Sequence, residues 1–156
     1  MDIKPTSCPN SVNLGGSGLM PVAITGSMTF DVMDIDVTTL AISRADGIGG
    51  TLAPIEDQMS YEDVATPFTG DLCDCHALGG DGYTDLSIKF NISDMSDALE
   101  MNDIPFNTYV ELVVRGELID GTAFSVSDCI RNIRKIRIKG GAGTFNPSMG
   151  TSPAGD

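Results

Sequence analysis

The sequence predicts an all-β protein: a single β-sandwich of about eight or nine strands, with one short helix and an extended terminal arm. Three observations lead there. With 18 glycines and 8 prolines among 156 residues, turn signals recur every few residues and leave little room for long helices. Leu86, Ile88 and Phe90 alternate with Ser87, Lys89 and Asn91, the period of two of a strand with one buried face. Val110, Leu112, Val114 and Leu118 likewise share a face opposite Glu111, Arg115 and Glu117, and Asp120-Gly121 beyond them is the dipeptide expected in a hairpin turn.

Taken in order, Asp2-Ile3-Lys4-Pro5 reads as an edge strand or arm, because Pro5 and Pro9 remove ladder donors on either side of the turn Ser7-Cys8-Pro9-Asn10. Ser11 to Leu14 and Pro21 to Thr25 read as strands joined by Gly15-Gly16-Ser17-Gly18. Thr38 to Ser43 follows an acidic turn, Ser60 to Val64 is a short strand, and Ser93 to Met101 is helical with Ser93 as its cap. Ala123 to Val126 returns from the Asp-Gly turn. Cys129 to Lys139 is assigned to a separate last strand with an irregular start, since Ile130, Ile133 and Ile136 recur every three residues. The sandwich domain then spans 1–139. Residues 140–156, rich in Gly, Ser, Thr and Pro, read as a tail or inter-subunit arm with Phe145 and Met149 as its anchors.

A net charge of −13 makes nucleic acid an unsuitable partner, and no apolar run is long enough to span a membrane. Five of the nine basic residues, Arg131, Arg134, Lys135, Arg137 and Lys139, fall in one short run, which suggests a charge match with the acidic remainder, within one chain or between copies. The N-terminus has no signal-peptide pattern, so the chain reads as cytosolic or processed. Four cysteines, an even number, favour an oxidised protein working outside the cell or at its surface.

The stretch from Asp71 to Phe90 gathers two cysteines, the single histidine and four aspartates. Calcium takes six to eight hard oxygens, which calls for clustered carboxylates and glycines that bend the chain. Asp71, Asp74, Asp81 and Asp85, beside Gly79, Gly80 and Gly82, fit that demand, with Asp63 to complete the site. The segment Asp81 to Leu86 is similar to the latter half of dockerin-type calcium loops, though it lacks the preceding D-x-D-x-D and the closing Glu. The alternative is that each aspartate caps a turn in a solvated loop.

Cys73 and Cys75 are too close to bridge without strain, so each is expected to pair with Cys8 or Cys129, in either of two connectivities. Zinc held by Cys73, Cys75, His76 and a fourth cysteine is the rival, weakened by a C-x-C-H spacing that structural zinc sites do not use. No nucleophile elbow, P-loop or dinucleotide fingerprint points to an enzyme, and without tryptophan a sugar-stacking platform is poorly supplied. Asn91-Ile92-Ser93 is a glycosylation sequon, which makes Asn91 a candidate glycan carrier.

DIKP with SCPN near the start, then EDVATPF, CDC, DGYTDL and the Asp120-Gly121-Thr122 turn together resemble a domain of exported bacterial proteins, over most of Asp2 to Ile138. The chain is also similar to the jelly-roll subunits of extracellular prokaryotic fibrils. That resemblance implies a jelly-roll sandwich that assembles head-to-tail as a linear homopolymer; no catalytic role or ligand set comes with it. The expected function is therefore a structural subunit of an extracellular fibril, stabilised by calcium and disulfides, with Asp2, Ile3, Lys4, Pro5, Phe145 and Met149 mediating assembly. The alternative is a calcium-dependent adhesion or carbohydrate-binding module of a larger secreted protein, with glycans as partners.

Overall fold

A computed structural model of the chain describes residues 1–134. The candidate anchors Phe145 and Met149, the 140–156 arm and most of the basic run lie outside the described residues. Among the described residues eight strands form two four-stranded sheets: β1 (Asp2–Ile3), β3 (Leu19–Ile24), β5 (Ser60–Glu62) and β6 (Asp85–Asn91) in one, and β2 (Ser11–Val12), β4 (Ile35–Arg44), β7 (Tyr109–Leu118) and β8 (Ala123–Asn132) in the other. The orders are β1-β3-β6-β5 and β2-β8-β7-β4, a mostly β arrangement compatible with a sandwich.

Alternation decides which side chains enter the space between the sheets. On β6, Leu86, Ile88 and Phe90 are fully buried, and on β7 Leu112 and Val114 face them in the same core with Ile130 of β8 and Met20, Val22 and Ile24 of β3. Burying each of these large side chains stabilises the fold by roughly 1.5–3 kcal/mol. Helix α1 (Ile92–Ala98) closes one end by inserting Met95, with Leu99 just beyond it, and Ser96 donates to the Leu14 carbonyl at 2.7 Å. Its cap is Asn91, whose Oδ1 accepts from the Asp94 amide at 3.0 Å, rather than Ser93. Arg44, at the end of β4, ties that strand to the same end by donating to the Glu100 carbonyl at 2.9 Å and to Asp46.

One sequence expectation about the strands changes. Of the stretch expected as two strands, 123–126 and 129–139, residues 123–132 form one strand, paired with β7 without interruption from Ala123↔Glu117 to Arg131↔Tyr109, and 135–139 lie outside the described residues. Pairing with the regular strand β7 carries β8 through Ser127 and Asp128, and of the three isoleucines only Ile130 lies within it. Of the two readings of the N-terminal segment, edge strand or arm, the structure shows the edge strand: Asp2 and Ile3 pair with Ala23 and Val22, and Ile3 is fully buried. The next strand, β2, crosses to the other sheet and lies parallel to the end of β8.

Candidate functional site at the disulfide-bracketed junction

Between β5 and β6 the chain runs from Asp63 to Thr84 without helix or strand. Loops of that length are uncommon in compact domains unless functional or fastened. This one is fastened twice. Cys75 bonds to Cys8 and Cys73 to Cys129, with Cα atoms 5.5 and 5.0 Å apart, so of the two open connectivities the structure selects this one. All four cysteines are bonded, which leaves none for zinc. Both ring nitrogens of His76 are occupied as well: the Leu78 amide donates to Nδ1 at 3.0 Å, and Nε2 lies 2.9 Å from the Thr66 carbonyl. The ring also leans on Phe68.

The five aspartates expected to hold calcium are not brought together. Asp85 is fully buried at the start of β6, where Oδ1 accepts from the Gly26 amide at 2.9 Å and Oδ2 from the Val64 and Ala65 amides, each at 2.9 Å. Position 26 has to be glycine for this approach, because a Cβ there would collide with the Thr84 carbonyl oxygen. Asp63 is exposed and folds the loop back on itself, accepting from the Asp81 and Gly82 amides at 2.9 and 2.8 Å. Asp81 accepts from the Tyr83 amide, and Asp71 and Asp74 are exposed on the Cys73 turn. Among the described residues no three His, Cys, Asp or Glu side chains form a group that could hold a metal. Proximity in sequence does not become proximity in space because Asp63, Asp81 and Asp85 each serve a separate set of backbone amides.

A different acidic junction, not anticipated from the sequence, lies where β1 and the turn before β2 meet β8. Asp128 accepts at Oδ2 from the Ile3 amide at 2.8 Å and from Asn10 Nδ2 at 3.0 Å, and at Oδ1 from the Cys129 amide. Asn10 Nδ2 also donates to the Cys129 carbonyl at 3.0 Å. Asp2 stands beside this group, and its carboxyl is pushed up to about 6, first by burial and then by the charge of Asp128, with His76, the Met1 amine and Asp85 as smaller influences. Burial likewise raises Asp128, against the hydrogen bonds it accepts. A cavity of about 320 Å³ opens beside it, between the Pro67–Asp74 loop and Ser127 and Asp128 of β8. The only sequence signal for this junction was that Asn10 lies two residues from Cys8 and Asp128 beside Cys129, the two cysteines expected to pair with the Cys73–Cys75 segment.

Asn91, in the sequon, is half-buried as the helix cap, and the cap engages its Oδ1. No helix among the described residues is long and apolar enough to cross a membrane. Comparison with protein-family models, with curated proteins and with solved structures finds no match.

Proposed function

We propose that the chain is a structural subunit that works outside the cell or at its surface, a jelly-roll sandwich that joins head-to-tail with copies of itself into a fibril. The observation that carries this reading is β1. It is a terminal edge strand of two residues, yet its Ile3 fills a fully buried core position. A short terminal strand that completes a sheet is the element one subunit can supply to the next, and an exchange that does not close on itself produces a linear polymer. Two disulfides support an oxidising location. The concentration of basic residues in 131–139 against an acidic remainder supports an ordered polarity of contact.

Negative-stain microscopy of the purified full chain is expected to reveal filaments. Deleting 140–156 and, separately, Met1 to Pro5 is expected to abolish them in at least one case. Filaments of wild-type appearance from both deletions would refute exchange of a terminal segment. A discrete monomer that retains a glycan on an array would point instead to an adhesion or carbohydrate-binding module.

A further inference from the structure

Two buried acceptors lack any hydrogen-bond donor among the described residues, and both belong to the junction around Asp128: Oδ2 of Asp2 and Oδ1 of Asn10. Asp2 is 6% exposed and Asn10 3%. Turning the Asn10 amide over would not help, because its Nδ2 already faces two groups that only accept, the Asp128 carboxylate and the Cys129 carbonyl. The Ile3 amide, adjoining Asp2, donates to the same Asp128 oxygen. Three oxygen-bearing side chains from β1, the turn before β2 and β8 are thus gathered at one place. Two of them are carboxylates. The single ion pair among the described residues is Arg44–Asp46; the Met1 amine acts on both Asp2 and Asp128 and His76 on Asp2, but none of these cations contacts either carboxylate directly.

Buried carboxylates without a counter-charge are costly, by several kcal/mol per ion, unless they are neutralised or given donors. An all-oxygen set of two carboxylates and an amide matches a hard divalent cation, and soft metals would call for sulfur or imidazole. The adjoining cavity, lined by Met1, Asp71, Asp74 and Asp128, leaves room for water ligands on the Asp128 side. Groups delivered by three separate chain segments suit the flexible, higher coordination of calcium better than the strict octahedron of magnesium. We propose that Asp2, Asn10 and Asp128 form a calcium site that fastens β1 and the Asn10 turn to β8. The loop carboxylates Asp63, Asp81 and Asp85 take no part in it, while Asp71 and Asp74 line the cavity beside Asp128.

The test is isothermal titration of the disulfide-intact full chain with calcium chloride, after treatment with EDTA and desalting. Wild type, Asp2→Asn, Asp128→Asn and Asp63→Asn are compared, with circular dichroism to verify folding. One saturable site with a Kd on the order of 10⁻⁴–10⁻³ M, the range of extracellular calcium modules, is expected for wild type and Asp63→Asn. Asp2→Asn is nearly isosteric and removes an unpartnered buried charge, so it is expected to fold while weakening calcium at least about tenfold. Calcium is also expected to raise the melting temperature of wild type but not of Asp2→Asn. Absence of saturable heat up to about 10 mM calcium, tenfold above that range, would overturn the proposal. So would wild-type affinity in Asp2→Asn, or loss of binding in Asp63→Asn.

Discussion

Asp85 and Asp2 are both buried aspartates in the same sheet, and they are treated in opposite ways. Asp85 is met by three backbone amides, from Gly26, Val64 and Ala65. Asp2 has one oxygen with no donor among the described residues and a second carboxylate for a neighbour. A carboxylate that organises backbone is a structural device, and its burial is offset by charge-assisted bonds. One left short of donors while pressed against a like charge is where a ligand or a proton would have to enter. Acidity alone does not distinguish the two, because the difference lies in what backbone each segment can present.

The largest effect is expected at the satisfied site. Asp85→Ala would strand three inward-facing amides at once, and a loss of roughly 3–5 kcal/mol is expected in urea unfolding, enough to leave little folded protein. A change below about 1 kcal/mol would show that water replaces the carboxylate easily and that the contrast with Asp2 is overstated.

At the unsatisfied site the sign reverses. In EDTA at pH 7.5, Asp2→Asn is expected to be the more stable protein, by about 1–2 kcal/mol once solvent screening is allowed for. The pH dependence follows from linkage. The folded Asp2 carboxyl titrates at about 6 and the unfolded one at its ordinary 3.8, so between these values the folded state holds more protons. Its contribution to stability is complete below the lower value and is lost as pH rises through about 6. The advantage of Asp2→Asn should therefore grow across that window, read as the difference between melting curves of the two proteins at each pH. A difference that stays constant from pH 4 to 7.5 would break the comparison.

The smallest effects belong to the exposed loop. Asp63→Ala removes the acceptor of two amides and is expected to cost about 1 kcal/mol, whereas Asp81→Ala, with one, should cost less than about 0.5. Thermal melts in low salt suffice to rank them. A loss at Asp81 as large as that at Asp63 would mean that the loop acids act as a group.

Much of the frame was legible because it rests on period. The alternation of Leu86, Ile88 and Phe90 and that of Val110, Leu112 and Val114 appear as strands where the sequence puts them, and Gly121 adopts the positive φ of 89° that its turn needs. What was not legible depends on contacts between distant residues. Ser127 and Asp128 belong to β8 only because Val113 and Leu112 pair with them, and Asp128 acquires its role from Ile3 and Asn10, more than a hundred residues earlier. The loop aspartates misled for the same reason in reverse, since a dense run of acids says nothing about which way each carboxylate is drawn.

The disulfide pairing also has a mechanical meaning. Cys8 is joined to Cys75, Cys75 lies two residues from Cys73, and Cys73 is joined to Cys129. A pull applied between the two ends of the chain therefore follows a short covalent path through residues 73–75 and bypasses residues 9–72 and 76–128 altogether. Such a pull would load the segments before Cys8, which include β1, and after Cys129, which include the last three residues of β8, while the strands between lie off that path. With the disulfides intact, the molecule behaves toward its own ends as a short inextensible link, and reduction would turn it into an ordinary domain that can be drawn out strand by strand.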